Sequence, residues 1–278
     1  MREKLRAALG SAGLVVAPLG RLGRPADTVR ILYYHSISDD PVRSSVSPSA
    51  FRGQIEHLLQ RGYCLLSLSE ATRRLSSGTA RPQRSVVITL DDGFRDNYEQ
   101  AFPTLQQLGA PATIFLTVSY IGTDHLPTLT NTAFVPRPLT WEHVREMHAS
   151  GIEFGSHTLT HPMLSRVPLD VARREIADSR HALEDKLGTP APFFCYPRGD
   201  FNEAVRRIVG EEGYAAACTT IPGLNDRQTD RYALRRTYVS RRDTAAEFAK
   251  KVAGGYDLLQ QAARALNRLR SRRGPAGR

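Results

Sequence analysis

Val86-Val87-Ile88-Thr89-Leu90-Asp91-Asp92-Gly93-Phe94 is an apolar, β-rich run that ends in two adjacent carboxylates and a glycine. Packing alone gives little reason to set two like charges at the end of a buried strand, because they repel, and a bound cation is the usual means of stabilising them. Runs of the same kind lie on both sides: Val29–Tyr34 before it, then Thr113–Val118, Ile152–Gly155, Phe193–Tyr196, Ala215–Cys218 and Leu234–Val239, with a weaker one at Cys64–Leu66. Helical patterns separate them near Pro48–Arg61, Tyr98–Leu108, Thr140–Ala149, Leu169–Leu187 and Asn202–Glu212. Strand and helix in alternation mark a parallel α/β sheet or barrel. Ser47 ahead of Pro48, Thr140 three residues ahead of His143, and Asp200 two ahead of Asn202 read as helix starts.

In α/β barrels the catalytic groups follow the strands, at their C-terminal ends. Asp91 and Asp92 stand in that position, and so does a second cluster, Gly155-Ser156-His157-Thr158-Leu159-Thr160-His161-Pro162. Two histidines four apart on a turn stopped by proline can converge on one metal. Such a pair occurs by chance on helix surfaces, and the Asp-Asp at another strand end is what gives it weight. Together they supply a His, His, Asp set with open coordination positions, as a catalytic Zn²⁺ requires.

The chain has 278 residues, 41% of them hydrophobic, enough to bury a real core. Its formal charge of +10 is confined to the ends. Residues 1–30 hold six basic and two acidic side chains, residues 258–278 hold six Arg and no acid, and the body between carries 26 of each sign. A nucleic-acid binder should show a basic stripe on its folded face, and the balanced body gives no support for one. Cys64, Cys195 and Cys218 are odd in number, widely spaced and set in apolar or aromatic surroundings, which points to buried thiols and to a reducing compartment, or at least to a fold that needs no bridges.

No stretch approaches the roughly 20 apolar residues of a membrane span. Arg2, Lys4 and Arg6 precede a charge-free run from Ala7 to Gly20 that is signal-like, but Gly10, Gly13 and Pro18 dilute it. The division expected is a basic leader over 1–28, a catalytic domain over 29–250 and a basic helical tail over 251–278. Gly254 and Gly255 split the helical stretch Thr244–Leu269, and Arg268, Arg270, Arg272 and Arg273 close it. The ends suit peripheral contact with an anionic membrane. A cytoplasmic location follows as the expectation, with export as the alternative; the oligomeric state is unknown. Tyr120 to Pro138, without a clear period, reads as a long loop, either a lid or substrate wall or a surface insertion.

Thr89-Leu90-Asp91-Asp92-Gly93 and His157-Thr158-Leu159-Thr160-His161-Pro162 resemble the first and second motifs of the polysaccharide deacetylases that share the nodulation-factor deacetylase homology domain. The resemblance spans about residues 29–250 and implies an α/β fold, a deformed (β/α) barrel with about seven parallel strands. It also implies metal-dependent removal of N-acetyl, less often O-acetyl, groups from sugars, so the partner is an acetylated glycan or sugar conjugate. By motif, Asp91 stands as general base and Asp92, His157 and His161 as ligands of a divalent metal, Zn²⁺ or another such as Co²⁺. The family's usual general acid is a histidine near the C-terminus, yet none follows His181. Ile31-Leu32-Tyr33-Tyr34-His35 instead resembles the start of a circularly permuted branch that includes exopolysaccharide deacetylases, and this makes His35 the acid.

Phe193-Phe194-Cys195-Tyr196-Pro197-Arg198-Gly199 is similar to the third motif, with Tyr196 and Arg198 as substrate or oxyanion contacts. Cys195 stands where many members carry an Arg that orients the base, and Arg235 or Arg236 is the candidate replacement. His57, His125, His143, His148 and His181 are read as having no role in the site. The rival readings are an O-acetyl esterase on the same machinery and a non-catalytic carbohydrate-binding barrel.

Overall fold

A computed structural model describes residues 28–42, 44–77, 84–124 and 137–257. The signal-like leader, the basic tail from residue 258 on, His125 and most of the loop expected between Tyr120 and Pro138 lie outside them.

Eight strands form one sheet: β1 (Val29–Tyr34), β2 (Cys64–Leu66), β3 (Ser85–Leu90), β4 (Ala112–Leu116), β5 (Glu153–Ser156), β6 (Phe193–Cys195), β7 (Ala216–Cys218) and β8 (Arg236–Tyr238). The order is β7-β6-β5-β4-β3-β1-β8, with every pairing parallel. A parallel bridge from Cys218 to Leu234 brings β7 round to the segment entering β8 and nearly closes a seven-stranded barrel. β1 runs along one edge of β3, while β2 and β4 divide the other: Cys64–Leu66 pair with Ser85–Val87, and Ala112–Ile114 with Ile88–Leu90. This shared edge is where the barrel departs from regularity.

Both faces of β1, β3, β4, β6 and β7 are buried, which explains why these strands read as largely apolar runs. Odd-numbered residues of β1 and β3 (Val29, Ile31, Val87) meet Phe115, Phe193, Cys195, Ala216, Cys218 and Leu234 inside the barrel. Even-numbered ones (Leu32, Tyr34, Val86, Ile88, Leu90) pack outward against helices α1 (Pro48–Gln60), α3 (Phe102–Gln107), α4 (Trp141–Ala149), α5 (Leu169–Leu187) and α7 (Ala245–Ala253). Helix α6 (Glu203–Glu211) and α5 cover β6 and β7 through Ile176, Phe194, Val205 and Ala217. One helix is absent from the sequence reading. α2 (Leu68–Ser77) turns Leu68, Ala71 and Leu75 into the interior cluster, and the Glu153 carboxylate accepts from Leu68 N–H at 3.0 Å at its start.

Ser47 and Thr140 cap their helices as read, but Asp200 does not. Asn202 caps α6, accepting from Val205 N–H, while Asp200 accepts from the backbone and hydroxyl of Ser165. The helix expected from Tyr98 begins as a π-helical turn, Asn97–Ala101. Gly254, at φ 90°, ends α7 as the sequence suggests. The charge map needs one correction. Arg30, counted with the basic leader, is buried on β1 and pairs with Asp257 at 2.6 Å while donating to Val252 O and Thr237 Oγ1. The three cysteines are free, Cys195 and Cys218 buried. No described helix is long and apolar enough to cross a membrane.

Candidate metal centre and catalytic cluster

Parallel strands bring all their C-terminal ends to one face, and their register sets the residues there level with each other. Tyr34 pairs with Leu90, so His35 after β1 and Asp91 after β3 are neighbours, and Asp91 N–H donates to Tyr34 O at 3.0 Å. His157 follows β5 in the same way. All three continue the inward-facing parity of their strands.

Asp91 is almost wholly buried and held by Arg236 of β8 through a two-pronged pair, Nη1 to Oδ1 and Nη2 to Oδ2, both 2.7 Å. Arg236 also donates from Nε to Thr219 O at 2.9 Å and from Nη1 to Thr89 Oγ1 at 3.1 Å. Its guanidinium lies over the ring of Tyr33. Burial alone would raise the Asp91 pKa, but the Arg236 charge outweighs it and holds the carboxyl at about 2.

Asp92 and Gly93 both take left-handed backbone, at φ 75° and 77°. A Cβ at position 93 would meet Leu116 Cδ2 at 2.8 Å, so the glycine after the two carboxylates is required by space as well as by conformation. The turn sets Asp92 Oδ1 3.6 Å from Nε2 of His157 and 3.6 Å from Nε2 of His161. That oxygen is buried and has no hydrogen-bond partner. His157 Nδ1 lies 2.6 Å from Cys195 O, a contact only a ring N–H can make, which leaves the Nε2 lone pair facing the carboxylate. Burial depresses His157 to about 4 and, with the neighbouring His157, His161 to about 3. Both imidazoles are therefore neutral donors at pH 7. Burial and the charge of Asp91 push Asp92 up to about 8. An uncommitted oxygen between two lone pairs fits a divalent cation, whose charge would reverse that rise.

Ligand atoms of Asp91, His157 and Cys195 also lie within 4.8 Å of one another. They do not make a competing site, because Arg236 occupies both Asp91 oxygens and burial pushes the Cys195 thiol up, far from thiolate.

Among the described residues, four of the five non-glycine positions with positive φ are Asp92, Thr158, His161 and Arg198. Backbone strain of this sort concentrates at functional sites. His35 stands beside the cluster, its ring edge-on to Tyr33 and Tyr238 at 5.8 Å each, with Nδ1 buried and unpartnered. Burial lowers its pKa; the Asp91 charge works the other way.

Of the sequence candidates, Asp91, Asp92, His157, His161, His35 and Arg236 come together. Arg235 does not: it is exposed, and its main chain pairs with the Asn225 side chain. Tyr196 is a second correction. Its ring faces α5 and α6, its hydroxyl donates to Tyr232 O at 3.0 Å, and its own N–H is taken by Cys218 O. Arg198 stays near the cluster, its charge lowering Asp92 and His161. Gly199 beside it has φ 68°, and a Cβ there would meet Thr220 Oγ1 at 2.2 Å. His143 closes the capping box of α4, and His148 lies 3.0 Å from Thr189 Oγ1. Tyr33 and Thr219, which hold Arg236, escaped the sequence reading; the odd-residue parity of β1 gives the clue for Tyr33.

The sequence profile of polysaccharide deacetylases matches residues 78–217, which contain all three motifs. The chain belongs to the polysaccharide deacetylase family. His35, just after β1, and Arg236, on β8, lie outside the matched segment. Among similar deacetylases, Bacillus subtilis YxkH, which carries the family's name, is 34% identical over 211 residues, covering 76% of this chain and 71% of that one. The poly-β-1,6-N-acetyl-D-glucosamine N-deacetylase of Staphylococcus epidermidis is 28% identical over 222 residues, covering 77% and 73%. Among solved structures, the Streptococcus pyogenes deacetylase PplD in complex with acetate superposes with a TM-score of 0.72 at 26% identity, covering 82% of this chain and 99% of that one. Deacetylases of this family depend on a metal, and the Asp-His-His set stands where this member can hold one.

Proposed function

We propose that this deacetylase removes N-acetyl groups from N-acetylglucosamine units of a polysaccharide, with a divalent metal held by Asp92, His157 and His161. The observation that carries the reading is the buried, unpartnered Asp92 Oδ1 between two Nε2 atoms, set beside a carboxylate that is kept ionised. The name of the Staphylococcus epidermidis relative supports the choice of sugar.

A Zn²⁺ or Co²⁺ ion there supplies a Lewis acid that polarises the acetyl carbonyl and acidifies a water. Asp91, with lone pairs left over after the Arg236 pair, takes the water's proton at its carboxylate. Arg236 keeps that carboxylate ionised and fixed in plane. The N–H of Arg198 is the candidate donor to the oxygen that gains charge, since Gly199 N–H and Asp200 N–H are committed to Tyr196 O and Pro197 O. His35 hands a proton to the departing amine nitrogen; burial lowers its pKa, and the Asp91 charge beside it opposes that lowering. Tyr33 and Tyr238 hold that ring edge-on between them.

The test is acetate release from N-acetylated β-1,6-linked glucosamine oligomers by the Zn²⁺- or Co²⁺-loaded chain, with Asp91→Asn and a chelated sample as controls. An O-acetylated glycan is run beside them. No acetate from any N-acetylated oligomer, or an Asp91→Asn variant as active as the parent, overturns the reading.

A further inference from the structure

The loop that carries the two histidines is held by a group outside every motif. Thr158 and His161 both stand in left-handed backbone, at φ 68° and 63°, which side chains rarely adopt unless their surroundings impose it. Between them, Leu159 N–H and Thr160 N–H both donate to Glu175 Oε2 at 2.9 Å, and Thr160 Oγ1 donates to Glu175 Oε1 at 2.6 Å. Glu175 projects from α5 and is 9% exposed. Hydrogen bonds to an ionised acceptor are roughly twice as strong as neutral ones, and three of them converge on two consecutive residues here.

One helical turn on, the same face of α5 reaches the start of the loop. Ser179 Oγ donates to Ile176 O at 3.0 Å and lies 2.6 Å from Ser156 Oγ, which accepts from Thr158 N–H at 3.1 Å. His161 N–H in turn donates to Thr158 Oγ1 at 2.9 Å. Every backbone N–H from 158 to 161 is thus committed. On the opposite side Val118 N–H and Ser119 N–H donate to Thr158 O and Leu159 O at 3.1 Å each. The loop's backbone is pinned at every residue between the histidines, by α5 at Leu159 and Thr160, by its own side chains at Thr158 and His161, and by Val118 and Ser119 from the other side.

We infer that Glu175 is a positioning residue for the paired histidines, fixing their spacing for a metal by anchoring Leu159 and Thr160. The inference rests on the proposed metal site and concerns affinity and geometry, not turnover. Glu175→Gln keeps an acceptor oxygen for the two N–H groups, and its amide can donate to Thr160 Oγ1 once that hydroxyl turns; Glu175→Ala keeps nothing. Leu183→Ala loosens the same helix two turns away, in the outer core, and removes none of the hydrogen bonds that Glu175 makes to the loop.

The measurements are Zn²⁺ affinity by chelator competition and the visible spectrum of bound Co²⁺, both on folded full-length protein, with melting temperature alongside. Outer groups that orient metal ligands are commonly worth about 10–100-fold in affinity. Glu175→Ala should lose that much and change the Co²⁺ spectrum, Glu175→Gln should recover most of it, and Leu183→Ala should melt earlier with both readouts intact. Wild-type affinity and spectrum in Glu175→Ala overturn the inference alone, as does an equal loss in Leu183→Ala. A wild-type chain that binds neither ion overturns the metal-site reading, and the inference with it.

Discussion

Arg236 grips Asp91 from inside the barrel, two nitrogens on two oxygens at 2.7 Å, so the carboxylate nearest the proposed metal site is neutralised from behind by a strand at the other end of the chain. Removing one partner of a buried pair typically costs about 3–5 kcal/mol, because the other charge is left uncompensated. Arg236→Ala should therefore be strongly destabilised, and Arg236→Lys, which keeps charge but loses the planar fork, only partly so. The pH dependence has a definite sign. Asp91 is depressed to about 2 from an ordinary 3.8, so its contribution is complete above pH 3.8 and drains away as pH falls toward 2. Urea melts across pH 2–7 should show the gap between parent and Arg236→Ala narrowing at the acid end; a constant gap contradicts the pairing. In Arg236→Lys the acid limb of the activity profile should move to higher pH.

Without a cation, Asp92 sits at about 8 while His157 and His161 sit at about 4 and 3. At pH 6 the carboxyl holds a proton and the two imidazoles hold none, so binding Zn²⁺ should expel about one proton. Calorimetry in buffers of different ionisation enthalpy reads that number directly. Affinity should climb with pH up to about 8, where Asp92 gives up its proton unaided, and level off above. Release of two or more protons at pH 6 would mean that the histidines are charged in the free protein.

β1 and β3 were legible because both of their faces are buried: they read as largely apolar, β-rich runs whose ends fall within one residue of Val29–Tyr34 and Ser85–Leu90. Helix α2 was not, since three inward residues, Leu68, Ala71 and Leu75, are too few among polar neighbours to set a period. Parity alone would have separated Arg236 from Arg235 and turned Tyr196 outward. Leu234 and Tyr33 face the interior, so Arg236, two residues past Leu234, shares their side, whereas Tyr196 shares the parity of Phe194 beneath α5 and α6. The hold of Glu175 on the histidine loop has no such sequence trace, because it depends on how α5 lies across the barrel end.

His35 tests whether an acid is needed at the leaving atom. An amine must be protonated to depart, whereas a nitrophenolate leaves unaided. His35→Ala should lower kcat on N-acetylated oligomers by about 10²–10⁴-fold, the usual range for a positioned acid, and change KM little. The same variant should lose far less on 4-nitrophenyl acetate. Since burial lowers the pKa of His35, the alkaline limb for the amide should fall at a lower pH than an ordinary histidine would give. Equal losses on amide and ester would remove His35 from the role of acid.

Asp96 links the two halves of the site, and its ionisation should be visible in stability. Its carboxylate accepts from Ser36 Oγ at 2.6 Å and Ile37 N–H at 2.9 Å, and its neighbour Asn97 donates to His35 O at 2.9 Å, so the turn after the paired carboxylates holds the strand end that carries His35. Burial outweighs those hydrogen bonds and raises Asp96 to about 6 from 3.8. The folded protein then binds its proton more tightly than the unfolded chain, and stability from this group falls as pH rises from about 4 through about 6. Asp96→Asn keeps an oxygen for Ile37 N–H and offers its amide to Ser36 Oγ, which leaves the turn intact. Chemical melts between pH 3.5 and 7 should show the parent losing ground to Asp96→Asn across that window. If the parent instead gains on the variant as pH rises, the carboxylate is stabilised by its partners more than it is penalised by burial, and its pKa lies below 3.8.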